Sequence, residues 1–314
     1  MTASCQKTLM KQTINSKLWR NCTVYALLTI SGISFAGPTV LVSIKPLHIL
    51  TAAITQGVSR PILLIDATLS PHQTRLRPSL ARKLQTADLV VWVGPELESQ
   101  LEKALDSLST SDRQLQLLQH ALPIRLRVAS PIGYDDKHKA DHFDPHIWLD
   151  PNNAVAIVNL IANRLQIIDP DNKLLYEQNA AKLVANIEAT DLEIRRLLAP
   201  FKNVDYLIVH NNLQYFATHY GISIHDSLIA DNHMQTGAKS IRAFKEKLNA
   251  NSKSCLLYDN FTSEKLLQTL LEKTTTKAVA LEPLGSNIRT ESYSDLLLHL
   301  AQSIATCLAS AKKH

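Results

Sequence analysis

Cysteine is scarce in this chain, no apolar run is long enough to cross a bilayer, and several familiar sequence signatures are missing. Four cysteines occur in 314 residues, and two of them, Cys5 and Cys22, precede the first long apolar run. That leaves Cys255 and Cys307, a pair better suited in an oxidising compartment to a disulfide than to a metal site. Closing a loop of about 50 residues contributes roughly 4 kcal/mol in the chain-entropy model. The apolar run Val24–Ala36 has 13 residues, against the roughly 20 needed for a spanning helix. A membrane span in the mature chain is therefore not expected. No internal repeat, heptad pattern or low-complexity tract is present, and no His-Glu-x-x-His motif marks a zinc peptidase.

Excess charge is missing too, once the first residues are set aside. Residues 1–36 carry Lys7, Lys11, Lys17 and Arg20 and no acid, then the apolar run, then the small residues Ser34 and Ala36. This reads as a secretory signal peptide cut between Ala36 and Gly37. No cysteine follows the run closely, so a lipid-anchored start is not expected. Removal of the segment leaves 29 basic against 28 acidic residues, and nucleic-acid binding is not suggested. The remaining 278 residues are enough for two lobes with substantial cores.

What is present is an alternation. Strand-like runs rich in Val, Ile and Leu lie at Val40–Ile44, Ile62–Ile65, Leu89–Val93, Tyr206–Val209, Cys255–Tyr258 and Ala278–Leu281, with helical stretches between them. Such alternation predicts an α/β fold with mostly parallel sheets flanked by helices. The order breaks once, between Asp171 and about Leu198, where near-unbroken helical residues carry Leu183, Ile187, Ile194 and Leu198 on one stripe. About 28 helical residues span on the order of 40 Å, too long for a simple crossover and suited to a rigid strut. The expected division is a signal peptide at 1–36, an N-terminal lobe at 37–169, a connecting helix at 170–200 and a C-terminal lobe at 201–314.

Three histidines stand where hydrophobic runs end or begin: Ser70-Pro71-His72, Asp144-Pro145-His146-Ile147-Trp148 and Leu207-Ile208-Val209-His210. In doubly wound sheets ligands gather outside the carboxyl ends of the strands. Three neutral imidazoles delivered there can enclose a zinc-sized cation and leave one coordination position open. Taken singly, a histidine after a strand is more often a hydrogen-bonded structural residue. The prolines before His72 and His146 are expected to keep the approach extended and the site pre-formed. Glu282, after the Ala278–Leu281 run, is the first choice for a fourth, oxygen ligand, with Asp259 and a water as alternatives. Three imidazoles and one oxygen suit zinc, whereas manganese sites more often hold two carboxylates. His48, His219, His120, His225, His299 and His314 read as packing or surface residues. His138 and His142 belong to the polar loop Gly133–Asp144, and His233 is a loose candidate.

These residues resemble a known family, the periplasmic zinc-binding proteins of bacterial high-affinity zinc ABC uptake systems, within the metal-binding cluster of solute-binding proteins. The likeness runs from about Val40 to Leu308 through Val42-Ser43-Ile44-Lys45-Pro46-Leu47, Ser70-Pro71-His72, Leu76-Arg77-Pro78-Ser79, Ala87-Asp88-Leu89-Val90-Val91-Trp92-Val93-Gly94 and His146-Ile147-Trp148-Leu149-Asp150-Pro151. It continues through His219-Tyr220-Gly221, Gln235-Thr236-Gly237-Ala238, Leu281-Glu282-Pro283-Leu284-Gly285 and Ser292-Tyr293-Ser294. The resemblance implies two α/β lobes, a rigid connecting helix, an interlobe metal site, and periplasmic capture of zinc for an inner-membrane ABC permease and its ATPase. It implies His72, His146 and His210 as ligands and a Cys255–Cys307 disulfide. The protein is expected to be a monomer and not an enzyme. A manganese- or iron-binding relative and a zinc hydrolase are the alternatives. Three departures stand out: a short loop where the family often has a long one rich in histidine and acid, Glu282 in place of aspartate, and Asn211 where an aspartate commonly follows the third histidine.

Overall fold

Runs such as Val40-Leu41-Val42 and Leu89-Val90-Val91-Trp92 bury every residue because helices cover both faces of the sheet they enter. The computed structural model describes residues 37–73, 78–106, 111–120, 122–127, 143–202, 204–229, 237–250, 255–286 and 292–312. In the N-terminal half, β1 (Val40–Val42) is followed by α1 (Lys45–Ile54), β2 (Ile62–Leu63), α2 (Pro78–Thr86), β3 (Leu89–Trp92), α3 (Pro95–Asp106) and β4 (Gln114–Gln116). The strands lie in the order β2-β1-β3-β4, all parallel. Two long helices follow, α4 (Pro151–Ile168) and α5 (Lys173–Leu198). The C-terminal half then runs β5 (Asp205–His210), α6 (Gln214–Tyr220), β6 (Ser223–Ile229), α7 (Ala238–Ala250), β7 (Cys255–Asp259), α8 (Glu264–Leu271), β8 (Lys277–Leu281) and α9 (Tyr293–Lys312). Its strands take the order β6-β5-β7-β8, again all parallel. The fold is the expected one of two lobes, each with a parallel sheet flanked by helices.

Two strands were not expected from the sequence, β4 and β6, and both lie at sheet edges. Gln-Leu-Gln and the alternating Ser223–Ile229 segment place polar groups where an edge meets solvent, so neither carries the continuous apolar run of a central strand. The helices lie between the strands, with ends set by local chemistry. Asp150 caps α4 by accepting from the Asn152 and Asn153 N–H groups at 2.7 and 3.1 Å, with Pro151 at the first helical position.

Helix α5 has 26 residues, flanked by single 3-10 turns at Pro170–Asn172 and Ala199–Phe201. Its buried stripe runs Tyr176, Ala180, Leu183, Ile187, Thr190, Ile194 and Leu198, steps of three and four that keep one face inward. The helix packs on α4 and α1 of the N-terminal half and on α9 and α6 of the C-terminal half. A continuous apolar core therefore passes from β1 and β3 through α4 and α5 to β5, β7 and α9. A smaller cluster of Leu207, Val209, Leu256, Phe244, Leu248 and Leu270 lies between the outer face of the C-terminal sheet and α7 and α8. Cys255 at the start of β7 is bonded to Cys307 in α9, with Cα atoms 5.6 Å apart. Among the described residues no helix is long and apolar enough to cross a membrane. The expected signal peptide, and residues 133–142 of the polar loop with His138 and His142, lie outside the described residues, as do His233 and His314.

Candidate metal centre

Parallel strands end on one edge, and both sheets turn that edge toward the same cleft. His210 is the last residue of β5. Asp259 is the last residue of β7, and Pro283 and Leu284 follow the end of β8. From the N-terminal half come His72, in the connection after β2, and His146, immediately before the 3-10 turn Ile147–Leu149 that leads into α4. One nitrogen from each of His72, His146 and His210 lies within 4.8 Å of the other two. Their ring centroids are 5.5, 5.8 and 5.3 Å apart for the pairs 72–146, 72–210 and 146–210. Zinc–nitrogen bonds of about 2.0–2.1 Å in a tetrahedron put donor atoms about 3.3 Å apart, so small ring rotations bring three imidazoles into range.

His72 does not arrive on an extended approach. Ser70-Pro71-His72-Gln73 forms a turn, closed by the Gln73 N–H on the Ser70 carbonyl at 3.2 Å. Pro71 takes the second turn position, where its fixed φ is favourable.

Two buried carboxylates hold two of the rings. Asp144 Oδ1 accepts from the His146 backbone N–H at 2.9 Å and sits 2.7 Å from His146 Nδ1. Asp259 Oδ2 is 2.9 Å from His210 Nδ1 and accepts from Asn212 Nδ2 at 3.1 Å. A carboxylate on Nδ1 fixes the tautomer that carries a proton there and leaves Nε2 to face a metal. Burial alone would push the Asp259 carboxyl up. Bonding to His210, Thr262 Oγ1 and the Phe261 N–H outweighs it and holds the group below the ordinary aspartate value. Both aspartates are under 5% exposed, so each ring they bond is backed by a carboxylate shielded from water. Asn211 thus leaves no gap in charge, because β7 supplies the carboxylate beside His210.

Around the three histidines, Pro71, Trp148, Phe261, Pro283 and Leu284 form the apolar part of the cavity wall, and Ser70, Asn212 and Asp259 the polar part. Trp148 Nε1 donates to the Pro283 carbonyl at 3.1 Å, Tyr293 Oη donates to the Trp148 carbonyl, and Lys45 Nζ donates to the Gly285 carbonyl. These bonds tie the 282–286 turn to the N-terminal half. The structure does not bring Glu282 to the histidines. The turn that starts there is closed by the Gly285 N–H on the Glu282 carbonyl at 2.9 Å, and Glu282 Oε2 accepts from Ser286 Oγ at 2.6 Å. Among the described residues, the metal-sized group consists of the three imidazoles without a carboxylate.

The other histidines are placed elsewhere. His48 Nε2 bonds the Pro61 carbonyl at 3.0 Å, a packing role. His219 on α6 is more than a packing residue. Its Nδ1 is 3.3 Å from Asp150 Oδ2, and its Nε2 is 2.7 Å from Asp191 Oδ1 on α5 and 2.7 Å from the Arg195 guanidinium. Burial alone would lower the His219 pKa, but the two aspartates outweigh it and hold it above the usual value. The role of Asp144 was open to a sequence reading: aspartate two residues before a backbone N–H is the Asx-turn pattern, and it puts the carboxylate beside the following ring.

Known proteins resemble this chain in sequence and in fold. The family model described as zinc-uptake complex component A periplasmic matches residues 40–307. The high-affinity zinc uptake system protein ZnuA of Haemophilus ducreyi is 31% identical over 312 residues, covering 91% of this chain and 98% of the relative. The ZnuA of Brucella suis biovar 1 is 27% identical, with 88% and 94% covered. Among solved structures, a crystal structure of ZnuA superposes with a TM-score of 0.74 at 23% identity over 87% of this chain and 99% of that one. The periplasmic zinc-binding protein TroA from Treponema pallidum gives 0.74 at 17% identity over 87% and 99%. At these identities the structural likeness speaks for the fold.

Proposed function

The chain belongs to the zinc-uptake complex component A periplasmic family, and we propose that it captures Zn2+ outside the cytoplasm and hands it to an ABC permease. Residues 1–36 act as the export signal. Residues 37–169 and 201–314 form the two lobes, joined through 170–200. His72, His146 and His210 ligate the ion through one ring nitrogen each, and a water completes the tetrahedron in place of Glu282.

One observation carries this reading. Imidazoles from three separate stretches of the chain converge in one cleft, with two buried carboxylates behind two of them. An all-imidazole donor set favours zinc over manganese, because the nearby carboxylates bond to rings rather than presenting oxygen to the ion. The same commitment speaks against a hydrolase. Asp144 and Asp259 hold the histidines, and a general base must instead reach the attacking water.

Isothermal titration of the chain from residue 37 onward should show one tight zinc site per molecule. An anomalous map at the zinc edge should place the ion on the three rings. Zinc bound elsewhere, or a stoichiometry of zero, overturns the reading.

A further inference from the structure

The ring of His146 is set by a residue of the opposite half. Tyr215, on the first turn of α6, is fully buried, and its hydroxyl uses both of its hydrogen-bonding capacities on N-terminal residues. It donates to the Asp144 carbonyl at 3.0 Å and accepts from the Leu126 N–H at 3.1 Å. Leu126 and Asp144 are themselves paired, the Asp144 N–H donating to the Leu126 carbonyl at 2.8 Å. One phenol therefore locks two chain segments together at the residue whose side chain grips His146 through both its backbone N–H and its Nδ1.

Tyr215 is also near the other ligand along the chain. His210 ends β5, and only four residues lie between the two. That connection is held by the Asn211 N–H on the Ile229 carbonyl at 2.9 Å and the Asn212 N–H on the His210 carbonyl at 2.8 Å. Phe216 and Tyr220, with ring centroids 4.5 Å apart, anchor the helix that bears the phenol. A single short segment thus presents one imidazole directly and fixes the place of a second. Gln214, at the start of α6, adds a weaker tie by donating from Nε2 to the Arg127 carbonyl at 2.9 Å.

We propose that Tyr215 is a positioning residue for metal capture, setting the His146-to-His210 separation across the cleft by way of Asp144. This rests on the zinc-site reading given above. Losing the hydroxyl leaves the buried Asp144 carbonyl and the partly buried Leu126 N–H without this partner and loosens the carboxylate that orients His146. The geometric demand of tetrahedral zinc turns that looseness into lost affinity.

The test uses the chain from residue 37 onward, with Tyr215→Phe, Asp144→Asn and the double variant. Zinc affinity is measured by competition with a chelator, the ligand field by the visible spectrum of bound Co2+, and the zinc-free fold by thermal melting. Tyr215→Phe is expected to weaken zinc about tenfold, the lower end of what outer partners of a metal ligand contribute, and to shift the Co2+ bands. The double variant is expected to lose no more than Asp144→Asn alone, since both act through one route. Unchanged affinity and an unchanged Co2+ spectrum in Tyr215→Phe overturn the proposal, as do additive losses. If Tyr215→Phe fails to fold, Asp144→Asn decides: the relay passes through that carboxylate, and wild-type affinity there sinks it. Should the wild-type chain bind no zinc, the site assignment itself has failed, a result distinct from any of these.

Discussion

The two halves deliver their histidines by different means. His210 ends a strand held on both sides, β5 being paired with β6 and with β7, and its ring is backed by a carboxylate from the next strand. His72 follows β2, a two-residue edge strand, in a turn of its own, and the residue is partly buried with both ring nitrogens shielded from water. One wall of the cleft is a sheet end and the other is a pair of loops. The C-terminal half therefore supplies a donor fixed by a paired strand, and in the N-terminal half His146 is fixed by Asp144 while His72 stands in a short turn of its own.

Removing one ligand from each side is the most forceful way to break that comparison. His210→Ala should weaken zinc more than about 100-fold, beyond the range of outer partners of a metal ligand. His72→Ala should cost less, because His72 stands in a short turn beyond an edge strand, where a water can take its place. Equal losses in a chelator competition assay would mean that both walls are equally rigid.

The disulfide offers a second, smaller lever. It lies wholly in the C-terminal half, and the sequence has no cysteine between residues 37 and 254. Cys307→Ser, with Cys255→Ser to avoid a stray thiol, should cost about 2–4 kcal/mol of stability while leaving zinc affinity within about twofold. Cys255 is at the opposite end of β7 from Asp259, so the tie acts on the strand's base. Hydrogen exchange confined to β7 and α9 would sharpen the contrast between halves, and a matching loss of affinity would erase it.

The gentlest effect concerns what joins the halves. His219 on α6 links Asp150 at the head of α4 with Asp191 of α5. Its folded pKa is raised, so the stabilisation is full below the unfolded value of about 6.5 and fades as pH rises through the higher folded value. The melting temperature of the zinc-free protein should fall as pH is taken upward from about 6.5, and His219→Gln should flatten that slope. An identical slope in the variant would remove His219 as the cause.

Much of this was legible in the residues. The four central strands announced themselves because strands buried on both faces must be apolar throughout, the edge strands β2 and β8 by their short apolar runs, while the edge strands β4 and β6 carry alternating polar residues and so escaped notice. Three histidines were readable from their places at the borders of those runs. Their carboxylate partners were harder, since a partner depends on strand register. Ile208 pairs with Leu257 in the β5–β7 ladder, and two residues further on the same alternation sets His210 beside Asp259. Glu282 stands apart from the three rings for the same reason. Leu281 is the residue paired with Asp259, and the chain turns immediately after it.

The shared apolar core has a consequence for unloading. With α5 packed against helices of both lobes, the molecule cannot swing apart like a jaw without tearing hydrophobic surface open to water. Loaded and empty forms should be nearly indistinguishable by small-angle scattering. Whatever receives the ion must then recognise its presence in the cleft's own rim, residue by residue, and not in the outline of the carrier.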